Sequence, residues 1–189
     1  PSLFWICRKG LDVRFGSAFA VREDGLLATC FHVMKDGFSA WAQDSDGGPA
    51  GLSFVRGRRD WDAAILKAKT GKASPLPLCT ELQDEGSPVW MVRHPLQSPD
   101  RVVRGEIVRY HSFQADPVLL IMRLASEDGD SGSPILNARG EVIGMLAGTG
   151  LGPGCSFGIL ASCLSHLIEG GHGEGNENQD SPWLRLPGR

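Results

Sequence analysis

The chain has 189 residues, 41% hydrophobic and 22% charged, with Gly 25, Pro 12 and a formal net charge of -3. That length suits one domain, or two small lobes sharing a core, able to bury about 70% of its unfolded surface, and the turn-rich composition argues against long helices. The near-neutral balance and the short basic cluster Arg56-Gly57-Arg58-Arg59, read as solvated surface, exclude a nucleic-acid partner, and no apolar run of about 18 residues exists to span a membrane.

In chain order, the opening "PSLFWICRKG" lacks the basic-then-apolar order of a signal peptide. Ser17 to Val21, the turn Glu23-Asp24-Gly25 and Leu26 to Phe31 predict a hairpin. Further strands are predicted at Leu52 to Val55, Ala63 to Lys67, Pro88 to Val92, Val102 to Tyr110, Val118 to Leu124, Glu141 to Leu146 and Cys155 to Leu160. Many short strands with almost no helix predict an all-β fold, as barrels or a sandwich. A helix is predicted over Ala161 to Glu169, with Ser162 as its cap and Gly170-Gly171 as its stop. Residues 170 to 189 are polar and glycine-rich and are expected to be a tail or linker. The Pro-rich stretch 72 to 86 is the best internal boundary, and no internal repeat is visible.

The five cysteines, Cys7, Cys30, Cys79, Cys155 and Cys163, are odd in number and show no C-x-x-C spacing. Free, mostly buried thiols in a reducing compartment are therefore expected, with neither a disulfide framework nor a metal site. The expected location is the cytoplasm; the alternative is periplasmic or secreted, if a leader has been removed.

The chemistry centres on "EDGDSGSPIL", residues 127 to 136. A serine hydroxyl such as that of Ser131 is a poor nucleophile unless a histidine takes its proton and an acid orients that histidine. His172 falls in the tail, His166 on the terminal helix, His111 after a strand and His94 before Pro95, where a turn role is expected. His32 differs, because it directly follows the apolar strand "LLATCF". Thirty residues later, in "RRDWDAAILKA", Asp62 stands at the mouth of a buried-looking strand, where a carboxylate needs a partner such as an imidazole N–H. Asp60 is the rival, in the polar part of that segment. Gly129 and Gly132 permit a tight loop aiming the amides of Gly129 and Ser131 at one spot, as an oxyanion hole.

These residues carry a resemblance. "GSAFAVREDGLLATCFHVMKD", "DWDAAILKAK", "GSPVWMVRHPL", "DGDSGSPILNARGEVIGMLAG" and "CSFGILASCLSHLIE" are similar, in order, to landmarks of chymotrypsin-fold serine peptidases, and most of all to the bacterial HtrA-type protease domain. The similarity runs from about residue 14 to 169 and aligns Asp62, rather than Asp60, with the catalytic acid. It implies two six-stranded antiparallel β-barrels with a C-terminal helix: barrel one over about 1–75, barrel two over about 85–160 and the helix at 161–169. It also implies His32 as general base and acid, Asp62 as its orienting partner, Ser131 as nucleophile and the Gly129 and Ser131 amides as the oxyanion hole.

The chain departs from that pattern at Asp130, which stands where the HtrA group commonly has asparagine. In trypsin relatives an aspartate there pairs with a newly cut N-terminus, and no matching terminus occurs here. Arg123, Arg104 or local backbone N–H groups are the expected partners of Asp130, with Asp128 facing solvent. Ser133 replaces a more usual glycine. The residues aligned with the primary specificity pocket are Ala125, Ser126, Leu146, Ala147, Gly148 and Cys155. None is acidic, so a small or medium apolar side chain before the scissile bond is expected. Cys155 is expected to be a packed core thiol. No peptide-binding domain of the HtrA kind is present within these residues.

The leading expectation is a serine endopeptidase acting on unfolded or loop segments of a protein or peptide substrate, without cofactor or metal. A regulatory protein or fused domain from bacterial signalling, quality control or defence is a further expected partner. The alternative is a catalytically silent trypsin-like binding or scaffold module. An esterase is disfavoured because the G-x-S-x-G elbow is absent, Ser133 standing two residues after Ser131.

Overall fold

A computed structural model of the chain describes residues 2–8, 14–34, 40–44, 48–69, 73–93, 102–113, 116–150, 152 and 154–170. Within these, the strands close into two six-stranded barrels, matching the expected fold class. The first ring contains β1 (Leu3–Arg8), β2 (Arg14–Ala20), β3 (Leu26–Cys30), β4 (Ala40–Asp44), β5 (Pro49–Arg58) and β6 (Ala63–Lys69), in the order β1-β2-β3-β6-β5-β4. The second contains β7 (Pro88–Val92), β8 (Val102–Phe113), β9 (Asp116–Arg123), β10 (Pro134–Leu136), β11 (Val142–Thr149) and β12 (Cys155–Leu160). Its ring order, β7-β8-β9-β12-β11-β10, repeats the first. All the paired strands are antiparallel, so each barrel has the same topology and no free edge.

The apolar runs of β2, β3 and β6 follow from burial on both faces. Successive side chains of a strand point to opposite sides. Ala18, Ala20, Leu27 and Leu66 fill the first barrel, whereas their neighbours Phe19, Ala28, Cys30 and Ile65 join the core that continues into the second. These three strands are therefore the shared wall of the molecule, which accounts for "LLATC" and "AAIL" lacking polar alternation. Each fully buried Phe or Leu contributes about 1.5–3 kcal/mol relative to exposure, and wall residues such as Phe19 and Ile65 contribute it toward the joint between the barrels.

The stretch after β6 is stitched to both barrels rather than loose. Leu76 N–H donates to Ala20 O at 2.9 Å, then Val142 N–H to Pro77 O at 2.7 Å and Cys79 N–H to Val142 O at 2.9 Å. Tyr110 clasps its far end, its hydroxyl donating to Gln83 O at 2.8 Å and accepting from Gln83 N–H at 3.0 Å.

The chain passes straight from β12 into α1 (Ala161–Ile168). Ser162 is not the cap: Leu160, still in extended conformation, holds that place and makes no side-chain cap bond, because no turn separates strand from helix. The helix stops where Gly170 takes φ 84°. No helix among the described residues is long and apolar enough to cross a membrane. His94, His172, Gly171 and the rest of the expected tail lie outside the described residues.

Candidate active site

β3 and β6 pair with Cys30 opposite Ala63, so the residues just past the end of one and just before the start of the other are neighbours. His32 lies in a 3-10 turn, Phe31–Met34, that continues β3. Asp62 precedes β6 at φ 50°, a left-handed conformation that aspartate tolerates better than most residues. Phe31 N–H donates to Asp62 O at 3.0 Å and Asp62 N–H to Arg59 O at 3.1 Å, which fixes that turn. Both carboxylate oxygens of Asp62 then receive His32: the backbone N–H at 2.8 Å and ring Nδ1 at 2.7 Å. An ionised carboxylate only accepts, so Nδ1 carries the proton and Nε2 is the nitrogen left to take another. Asp60 instead faces Arg58, whose Nε donates to it at 2.9 Å.

Ser131 comes from the second barrel, on the loop between β9 and β10. Gly129 and Gly132 both adopt positive φ, 94° and 91°. Gly132 has no alternative, since a Cβ there would stand 1.9 Å from Ser17 O. The loop is tied across to β2: Ser17 N–H donates to Ser131 O at 2.7 Å and Ser17 Oγ to Gly129 O at 3.1 Å. It is tied back to β11 by Gly132 N–H to Leu146 O at 2.8 Å. Among the described residues, the Gly129 and Ser131 amides donate to no protein acceptor. Ser131 Oγ itself lies 3.5 Å from Ala147 O, a long contact, and no bond joins it to His32.

Asp130 is fully buried, as expected, and Asp128 is exposed. The partner of Asp130 is neither Arg123 nor Arg104 but Arg93, itself 5% exposed. Arg93 Nε reaches both Asp130 oxygens at 3.1 Å, Nη2 reaches Oδ2 at 3.0 Å, and Glu127 N–H adds 2.8 Å. Arg123 pairs with Glu106 on the surface, and Arg104 is exposed on β8. The reason is barrel closure. β7 pairs with the three-residue β10, Ile135 opposite Met91, which brings the end of β7 beneath the serine loop.

Of the pocket candidates, Leu146, Ala147 and Gly148 are buried on β11, Ser126 and Cys155 are half-buried and Ala125 is exposed. Sequence reasoning missed Ser156, fully buried on β12. Its Oγ bonds Ser126 Oγ at 2.7 Å and Leu124 O at 2.7 Å, so the serines satisfy one another. Ser17 was missed too, and only its place beside Gly16 in "GSAF" hinted at a close approach. His166 stacks edge-on against Trp61 at 5.6 Å, and His111 is exposed on β8, so neither joins the site. Against the expectation of no metal site, single ligand atoms of Cys30, His32 and Asp62 lie within 4.8 Å of one another.

Two antiparallel six-stranded barrels with His and Asp on one and a glycine-flanked Ser on the other define the trypsin-like class of serine peptidase architecture. The family model described as "Trypsin-like peptidase domain" matches residues 16–145, and the chain belongs to that family. It is 26% identical over 176 residues to "Serine protease HTRA1" of Xenopus tropicalis, covering 87% of this chain and 37% of that protein. It is 28% identical over 165 residues to "Probable periplasmic serine endoprotease DegP-like" of Rhizobium meliloti (strain 1021), covering 82% and 32%. The chain thus spans about a third of the length of these relatives. Among solved structures, the serine endoprotease from Yersinia pestis superposes with TM-score 0.77 at 20% identity, covering 89% of this chain and 62% of that one. The inactive form of a serine-to-alanine mutant of Rv3671c from M. tuberculosis H37Rv superposes with TM-score 0.74 at 21% identity, covering 89% and 85%.

Proposed function

We propose that the chain is a serine endopeptidase in which Ser131 is the nucleophile, His32 the general base and acid, and Asp62 the residue that orients His32. The observation that carries this reading is the double grip of Asp62 on His32, which selects the tautomer whose Nε2 can accept the serine proton. For attack, Ser131 Oγ has to leave Ala147 O and reach that nitrogen. Attack on a peptide carbonyl then moves the Oγ proton to Nε2, and Asp62 stabilises the resulting imidazolium. The Gly129 and Ser131 amides receive the oxyanion, each such donor contributing about 3–4 kcal/mol at the transition state. His32 returns the proton to the leaving amine, and water, deprotonated in turn by His32, releases the acyl group.

The pocket candidates carry no acid, and the Ser126–Ser156 hydroxyls are mutually satisfied, which supports a small or medium apolar residue before the scissile bond. Unfolded or loop segments of proteins are the proposed substrates. None of the five cysteines is in a disulfide, which supports a reducing compartment, with a periplasmic or secreted location as the alternative. The long Ser131 contact to Ala147 favours a second reading, a catalytically silent binding module. One experiment separates them. A fluorophosphonate probe is expected to label the wild type and not Ser131→Ala, while Asp62→Asn lowers kcat by about 10⁴-fold. No Ser131-dependent labelling under any condition means the silent module. A wild type against Ser131→Ala comparison of newly formed N-termini then identifies the substrates.

A further inference from the structure

Peptide cleavage as proposed leaves one neighbour of the His–Asp pair without a role, the thiol of Cys30. We propose that Cys30, His32 and Asp62 together bind a borderline transition-metal ion, with Zn²⁺ the best fit, and that occupancy switches the site off. Metal binding itself does not depend on the peptidase reading; only the inhibition rests on it.

Cys30 is the last residue of β3, fully buried, and its Sγ is oriented by a contact of 3.1 Å to Leu146 O. The fold places one ligand atom of Cys30, His32 and Asp62 within 4.8 Å of the other two, although the sequence carries no metal-type spacing. Sulfur, imidazole nitrogen and carboxylate oxygen make up a donor set that Zn²⁺ and Co²⁺ accept and that hard ions such as Mg²⁺ and Ca²⁺ do not prefer. Charge supports the same choice. A thiolate, a carboxylate and a neutral imidazole cancel a divalent cation, so the filled site buries no net charge.

The ligand atoms have to adjust: Sγ, within 4.8 Å of the other two, settles about 3.5 Å from each, while nitrogen and oxygen part slightly. Tetrahedral bonds of about 2.0 Å to nitrogen and oxygen set those atoms about 3.3 Å apart, against the 2.7 Å separating Nδ1 and Oδ2. The side chains of His32 and Asp62 keep 23% and 11% exposure, which gives an ion its entry and a water the fourth coordination place. On binding, the Sγ proton leaves to bulk water and the single imidazole proton is exchanged from Nδ1 to Nε2, so the ring stays neutral. Nδ1 then bonds the metal, and Nε2, now carrying the ring's proton, has no lone pair to take the proton of Ser131.

The test uses Ser131→Ala protein, kept reduced by a phosphine and titrated with Co²⁺ alone. One ion per chain is expected, with a near-ultraviolet thiolate-to-cobalt absorption that Zn²⁺ abolishes and Mg²⁺ does not. Adding Cys30→Ala is expected to remove that absorption and to weaken Zn²⁺ binding at least about tenfold. Cys30→Ser, with its melting temperature checked, is the companion variant should the smaller residue unfold the wall. In protein with Ser131 intact, Zn²⁺ is expected to suppress probe labelling, and Cys30→Ala to raise the concentration required by a similar factor. Co²⁺ bound without the sulfur absorption, no binding, or an absorption that survives both Cys30 variants overturns the proposal. Because the titration is made without Ser131, its failure leaves the peptidase reading intact, and a silent Ser131 leaves the metal site intact.

Discussion

Asp130 is the residue on which the serine loop turns. Its carboxylate is out of water and held by three contacts to Arg93 and one to the Glu127 amide. A buried pair adds little net stability over an apolar one, yet removing one partner costs about 3–5 kcal/mol. Arg93→Met is therefore expected to lower unfolding stability by that amount and to reduce kcat more than it raises KM, since the loop carries both proposed oxyanion donors. Asp130→Asn alone is expected to do the same. The double variant Arg93→Met with Asp130→Asn is expected to recover most of the stability in denaturant unfolding but not the rate. Wild-type stability and kcat in either single variant would exclude a positioning role for the pair. Ser133, two residues beyond Ser131, gives the opposite case. Its hydroxyl is buried with no hydrogen-bond partner among the described residues, so Ser133→Ala is expected to be neutral or to gain about 1 kcal/mol in the same assay. A loss of more than that would mean the hydroxyl has a partner after all.

At the scale of elements, the wall strands and the serine loop were readable because physics marks them locally. Apolar runs such as "LLATC" record burial on both faces, and the glycines around Ser131 record positive φ. β1, β4 and β10 escaped, and each owes its existence to barrel closure rather than to its own pattern: β1 pairs across to β4, and β10 pairs with β7 over only two positions. Arg93 escaped for the same reason, since nothing in "VWMVRHP" says that the strand ends under another loop. Ser156 and Cys30 likewise gained meaning only from what folding sets beside them. The Pro-rich stretch lies between the barrels, its carbonyls and amides committed to both, and Tyr110 closes its end on Gln83. Burial raises the Tyr110 pKa above its ordinary value near 10, the Gln83 amide working against it. A raised folded value means that the fold prefers the neutral phenol. Its contribution is thus complete below about pH 10 and is lost as pH climbs through the folded value. The chain has a single tyrosine, so its phenolate absorbance reads this group alone. Ionisation is expected above the unfolded midpoint, and Tyr110→Phe is expected to shrink the fall in melting temperature between about pH 9 and 11. Titration at the ordinary value in native protein would contradict this account.

At the scale of the whole molecule, the site exists only because two barrels of the same topology meet at one place. His32 and Asp62 belong to the first and Ser131 to the second, so the proposed catalysis would depend on a joint rather than on either ring. Ser17 is the joint: its amide and hydroxyl both reach the serine loop, while its carbonyl lies against Gly132 and accepts Thr29 Oγ1 at 2.8 Å. No side chain can enter between Ser17 O and Gly132, and the obstruction is backbone on one side and a fully buried wall on the other. Gly132→Ala therefore combines a strained positive φ with a clash that only separation of β2 from the loop relieves. The strain alone is of order 1–3 kcal/mol, and moving the loop also breaks the Ser17 bonds. Stability is expected to fall by at least about 3 kcal/mol, with probe labelling of Ser131 lost even at temperatures where the far-ultraviolet dichroism remains native. Gly140→Ala is the control, since Gly140 also has positive φ, 76°, but an added Cβ there meets nothing within 4 Å. It carries the strain without the clash, so it is expected to cost less and to keep its labelling. Equal effects in the two variants would mean that strain, and not the joint between barrels, governs the site.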